Sequence, residues 1–161
     1  MASTRSSKIH IHHIGGRNGS HPFPINTHFN ADYVLTLYDG DDSCVPSMVK
    51  LDGIERHVIV KCFAAEAGPI DFNVNYDPYT SSIHSKNSTY DSWYTCMHGI
   101  DWVNGDARQT VKVAEMLAST LDEHAVELPE AMDFLGLDVE GAEIDILQSG
   151  QQTLERDILG V

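Results

Sequence analysis

Residues Phe134–Gly150 read FLGLDVEGAEIDILQSG, and the stretch changes character in the middle. Met132 to Leu137 is a short apolar run with the length of a buried strand. From Gly141 to Gln148, Ala142, Ile146 and Leu147 fall on one helical face, and Gly150 is a natural stop. The segment therefore predicts a strand that turns straight into a helix, with Asp138, Glu140 and Glu143 at the turn. Glu140 and Glu143 share one face of the first helical turn, where the helix dipole favours negative charge. Asp138 stands at the strand tip and points into the crevice beyond it. An acid directly after a buried run needs a partner or solvent, whereas the helix start alone accounts for Glu143.

The chain upstream alternates in the same way. Lys8–Ile14 (KIHIHHI) is a strand stopped by Gly15-Gly16-Arg17-Asn18-Gly19, and Asp32–Tyr38 (DYVLTLY) is a second, stopped by Asp39-Gly40-Asp41-Asp42. The prolines at 22 and 24 leave room for no more than a short helix before it. Val45–Leu51 is expected to form a short crossing helix, and His57–Phe63 (HVIVKCF) a third strand. Ile70, Phe72 and Val74 mark a further extended segment, Asp77–Asp91 reads as a polar surface loop, and Thr110–Val113 is extended. Thr120-Leu121-Asp122-Glu123 matches a capping box that starts a helix running to about Leu128, before Pro129. Ile158–Val161 reads as one more strand just beginning. Strands alternating with helical crossovers imply an α/β fold, a doubly wound and mostly parallel sheet whose ligands sit at the carboxyl ends of the strands.

Composition narrows the function. The 161 residues suit one domain, and 42% apolar residues suffice for a core. A formal net charge of -14, with no basic cluster, argues against nucleic acid and anionic lipid as partners. Cys44, Cys62 and Cys96 show no CxxC spacing, so neither a disulfide framework nor a thiolate metal site is indicated, and a reducing cytoplasm fits. The opening MASTRSS has no signal-peptide core, and no run is long enough to span a bilayer.

Two strand ends carry candidate ligand contacts. Gly15, Gly16 and Gly19 let the backbone come close to a ligand, although a plain tight turn explains them equally well. An acid after the second strand, Asp39 beside Gly40, is placed to accept hydrogen bonds from both ribose hydroxyls of a nucleoside; a solvated acidic turn is the alternative. His10 and His12 project from one strand face, but without further ligands nearby they read as polar residues on an outer face, and no metal site is expected.

The DVEGAE run closely resembles the signature of FkbM-type methyltransferases, whose pattern at this point is FLKIDVEGAELEVLKG. Thr120-Leu121-Asp122 is similar to the family's TLD, Ser81-Ser82-Ile83 to its serine-serine-leucine element, and Tyr38-Asp39-Gly40-Asp41 to its acidic motif after strand two. The resemblance covers about Lys8 to the chain end. It implies a Rossmann-like sheet of the class I methyltransferase type and S-adenosylmethionine as cofactor. The acceptor it implies is a hydroxyl on a sugar or secondary metabolite.

On that resemblance the Gly15–Gly19 turn wraps the methionine portion, Asp39 and Gly40 hold the ribose, and the Cys62–Ala64 region, with Phe63 and Ala64, lines the adenine. Asp138 is the first choice beside the acceptor hydroxyl and Glu140 the second. Two positions depart from the family pattern: His13 stands where an acid usually contacts the methionine amino group, and Gly136 where a lysine is common. The family's sheet also continues past the strand starting near Ile158. The resemblance thus implies one domain over residues 1–161 that is incomplete at its C-terminal end, a fragment or part of a larger polypeptide. The rival expectation is a catalytically silent domain that binds a nucleoside or docks within a larger protein. A dinucleotide or nucleotide-sugar enzyme is a further rival, against which the turn reads GGRNG and not GxGxxG.

Overall fold

A computed structural model describes residues 8–17, 31–51, 53–90 and 107–161. Its main sheet has five strands in the order β3-β4-β2-β1-β8. β1 (Ile9–Ile14), β2 (Tyr33–Asp39), β4 (Ile54–Val60) and β8 (Phe134–Leu137) run parallel, and β3 (Ser47–Leu51) lies antiparallel on the edge. From β1 the chain builds outward through β2 to β4 on one side, while β8 pairs on the other. The order therefore reverses between β1 and β8. Strands β1 and β2 are buried on both faces, as an inner parallel pair requires. Ile11, Leu35, Leu37 and Val58 form the core on one face, and Ile14, Tyr38, Leu135 and Ile146 belong to the core on the other.

The chain at 45–51 is not the crossing helix expected. Ser47–Leu51 pairs antiparallel with β4, Leu51 opposite Ile54. Asp-Gly at 52–53 is a strong hairpin signal, and Gly53 takes φ +88 there. The expected third strand, His57–Phe63, is likewise two: β4 ends at Val60 and β5 (Cys62–Phe63) joins a different sheet. Between them, Lys61 turns its N–H to the Asp39 carbonyl at 2.9 Å and its ammonium to Glu127 at 3.1 Å.

The second sheet has the order β5-β7-β6, where β6 is Gly68–Asn75 and β7 is Thr110–Ser119, six residues longer than the sequence suggested. Ile70, Phe72 and Val74 alternate inward as expected, but onto Cys62, Ala64 and Ala118 and not into the main sheet.

Three helices follow. α1 (Leu121–Glu127) starts in the predicted capping box: the Thr120 hydroxyl accepts from Glu123 N–H, and the Glu123 carboxylate accepts from Thr120 N–H. α2 (Glu143–Gln148) begins two residues later than the sequence pattern suggested, because Glu140 and Gly141 take φ +53 and +107. α3 (Gln151–Arg156) was not foreseen. Its first N–H groups are capped from a distance by the Asp122 carboxylate, which accepts from Thr153 N–H at 2.8 Å and Thr153 Oγ1 at 2.7 Å. Gly150 lies between α2 and α3 and has no room for a side chain, since a Cβ would sit 2.3 Å from Leu121 Cδ2. The Thr-Leu-Asp element is thus structural glue: one residue caps α1, one fills the core and one caps α3. Gly160 bridges Phe134 in parallel, on the side of β8 away from β1.

His12 is not on an outer strand face. It is 3% exposed, its Nδ1 lies 2.8 Å from the Tyr38 hydroxyl, and His124 Nε2 meets the same hydroxyl at 2.9 Å. Burial drives the His12 pKa down to about 3, so the ring is neutral and the polar pair is satisfied within the core. Among the described residues no helix is long and apolar enough to cross a membrane.

Candidate active site

The turn after β1 is clipped to the end of β2: the Tyr38 carbonyl accepts from Gly15 N–H at 2.8 Å and from Gly16 N–H at 3.1 Å. Gly15 has φ +88, and a Cβ there would fall 1.8 Å from the Asp138 carbonyl oxygen. Asp138 N–H in turn donates to the Ile14 carbonyl at 3.0 Å. The ends of β1 and β8 thus touch backbone to backbone, which only glycine at 15 permits.

Beside this junction lies a cavity of about 180 Å³. It brings together Gly15, Asp39, Phe63, Asp138 and Glu140, five of the residues picked from the sequence, at the carboxyl ends of strands from both sheets. His13, Gly16, Gly40 and Ala64 are not among its described lining residues. His13 is buried within β1, Gly16 fits against Leu37, Gly40 against the Phe72 ring, and Ala64 N–H bonds the Ser119 carbonyl at 3.2 Å. Gly19 is outside the described residues.

The charges are unequal. Asp39 is buried, and desolvation raises its pKa although the Asp41 N–H bonds its Oδ1 at 2.8 Å and Arg17 is nearby. Burial opposes ionisation of Asp41 too, but hydrogen bonds from Ser43 N–H and from Arg17, at 2.8 Å, outweigh it and lower its pKa. Arg17 also reaches the Pro78 carbonyl at 3.4 Å and lies 5.2 Å from the Tyr79 ring centre, so it ties the β1 turn to the 3-10 turn that follows β6. Glu140 is half-buried. Desolvation, with Asp138, Glu143 and Asp77 adding repulsion, raises its pKa against the pull of Arg108, whose Nη2 is 3.2 Å from its Oε2. Burial of Glu143 works in the same direction, but its carboxylate accepts from Val139 and Gly141 N–H, and the net effect lowers its pKa. Glu143 therefore braces the turn, as the helix-start reading anticipated. Asp138 is exposed at the rim.

One wall comes from a segment expected to be a surface loop. Pro78–Thr80 forms a 3-10 turn, and Ser82 is buried and bridged to Asn73 of β6. Arg17, Tyr79 and Ser82, which line the cavity, and Arg108, which pairs with Glu140, were not selected from the sequence. Only the Ser81-Ser82 pair carried a signal, through its place in a family motif. Among the described residues, no group of three or more His, Cys, Asp or Glu is arranged to hold a metal ion.

Searches of curated proteins and of solved structures gave no match. A family model, described as the methyltransferase FkbM domain, matches residues 13–160 and so spans every residue that lines the cavity. With a mixed α/β fold, parallel strands ending at an acidic cavity, and a match over most of its length, the chain belongs to the FkbM methyltransferase family.

Proposed function

We propose that the protein is an S-adenosylmethionine-dependent O-methyltransferase that acts on a hydroxyl of a sugar or secondary metabolite. The observation that carries this reading is the convergence of Asp39, from the end of β2, with Asp138 and Glu140, from the turn after β8, on one cavity that also contains Phe63. The residues suit the cofactor. Among the described residues lining the cavity, three carboxylates face one cation, Arg17, which is already paired with Asp41, and Arg108 offsets Glu140 from outside the lining. That surplus of negative charge favours a ligand bearing a sulfonium and an ammonium. At about 180 Å³ the cavity is smaller than the roughly 300–1,000 Å³ of pockets for drug-sized ligands, so the ligand extends past its mouth. The parallel order β4-β2-β1-β8, with Gly160 beyond, also supports a Rossmann-like doubly wound sheet, with the cavity near its reversal point.

S-adenosylmethionine supplies an electrophilic methyl group when bound. Asp39 accepts hydrogen bonds from the ribose hydroxyls, and Phe63 offers the adenine an apolar face. Asp138, exposed at the rim, orients the acceptor oxygen for in-line attack. Glu140, with its raised proton affinity, takes the acceptor proton.

Isothermal titration calorimetry with S-adenosylmethionine and S-adenosylhomocysteine tests the reading. Saturable binding of both is expected, and it weakens in Asp39→Ala but not in Asp138→Ala. No binding of either ligand would remove the reading. A nucleoside-binding domain without transferase activity is the second reading, favoured by His13 and Gly136, where the chain departs from the family pattern. It predicts binding of both ligands, with no labelled methyl passed to any acceptor in a panel of sugars and hydroxylated metabolites.

A further inference from the structure

We propose that Ser82 is a positioning residue: anchored on the second sheet, it holds the β8–α2 turn so that the Glu140 carboxylate stays at the cavity wall. The use of that carboxylate as a proton acceptor rests on the methyltransferase reading; its placement does not.

Ser82 is fixed first. Asn73 N–H donates to the Ser82 carbonyl at 2.8 Å, Ser82 N–H donates to the Asn73 carbonyl at 3.1 Å, and Asn73 Nδ2 adds a third bond at 3.2 Å. The residue is 5% exposed. Its hydroxyl then crosses from the second sheet to the turn after β8, donating to the Glu140 carbonyl at 3.0 Å, with the Val139 carbonyl at 3.4 Å. The same oxygen accepts from His84 N–H at 3.1 Å, so its hydrogen is directed toward the turn.

The turn needs such a restraint. Glu140 is a non-glycine residue at φ +53, a conformation that costs an L-residue free energy and persists only where neighbours over-determine it. Glu143 holds the N–H groups of Val139 and Gly141 from the helix side. Ser82 holds the carbonyl of Glu140 from the opposite side. Arg108, on the chain leading into β7, reaches the carboxylate itself. Backbone and side chain of Glu140 are thus both held from the second sheet, and Ser82 supplies the backbone part.

The test is an NMR titration of the Glu140 side-chain carboxyl carbon in the wild type, Ser82→Ala, Ser82→Cys and Ser82→Thr, without ligand. Thiol is a weak donor of similar size, so Ser82→Cys reads the lost hydrogen bond if Ser82→Ala does not fold. Released into solvent, Glu140 should titrate at lower pH, by about half a pH unit or more, in Ser82→Ala and Ser82→Cys. Ser82→Thr keeps the hydroxyl and should hold the wild-type midpoint. An unchanged Glu140 midpoint in every folded variant would overturn the proposal. Calorimetry with S-adenosylhomocysteine on the same four proteins separates the two claims. Binding by the wild type is expected under the methyltransferase reading. If none of them binds while the midpoints still move, the cofactor reading fails and the positioning role stands.

Discussion

His13 and Gly136 are register partners across the parallel β1–β8 pair, so their Cα atoms are lateral neighbours on the same face of the sheet. They are also the two positions where the chain departs from the family pattern, which has an acid at the first and often a lysine at the second. A charge placed at one of these positions is therefore expected to be felt at the other. A double-mutant cycle checks this. His13→Asp alone places a carboxylate in a buried position and is expected to destabilise strongly; Gly136→Lys should offset that cost. A coupling of about 1–2 kcal/mol in urea unfolding is predicted. Additivity within about 0.5 kcal/mol would show the positions to be independent.

Gly15 carries the junction between β1 and β8. Gly15→Ala would place a Cβ against the Asp138 carbonyl and impose a left-handed φ on alanine. A loss of about 3 kcal/mol in unfolding free energy is expected. Gly68→Ala is a useful control, since its φ is also positive but no atom lies within 4 Å of the added Cβ. Equal losses at the two sites would mean that backbone strain alone, and not the contact with Asp138, explains Gly15.

The His12–Tyr38–His124 cluster makes stability depend on pH. His12 is neutral in the folded protein, with its pKa depressed to about 3 by burial and by His124, His10 and His57, from the 6.5 of an unburied histidine. The unfolded chain therefore binds the proton first. The stabilisation is complete above about pH 6.5 and is lost as pH falls toward 3, on the order of 5 kcal/mol in all. His124, whose pKa burial also lowers, adds to the same slope. His12→Phe should flatten the decline of stability between pH 6.5 and 4. An identical slope in the variant would contradict the assignment.

Glu140 trades stability for placement. Glu140→Gly relieves the positive φ and should raise stability by about 1 kcal/mol, since the half-exposed bridge to Arg108 that it gives up contributes little. The same variant should lose methyl transfer while binding S-adenosylhomocysteine normally. A destabilised variant would show that the turn is not strained at this residue.

Legibility in the sequence followed the range of the forces involved. The strands β1, β2 and β8, the capping box at Thr120 and the acids at the strand ends are encoded within a few residues, and they were readable. β3 was misread because a short apolar run has no period of its own. Its strand character comes from antiparallel pairing with β4. The split after Val60 and the length of β7 depend on a second sheet, which local pattern does not reveal. The same distance effect hid Arg17, Tyr79 and Arg108: each is an ordinary polar residue until the fold brings the first two to the cavity and the third to Glu140. Asp39, Asp138 and Glu140 were legible because an acid at the end of a buried strand is conspicuous without any tertiary contact.

The most direct test of a shared cofactor and acceptor cavity is amide chemical-shift mapping while S-adenosylhomocysteine is titrated into the protein. The account predicts saturable changes centred on Gly15, Asp39, Phe63 and the Asp138–Gly141 turn, and their loss in Asp39→Ala at the same ligand concentration. Shifts confined to the exposed surface of α2 and α3, or no shifts at all, would contradict it.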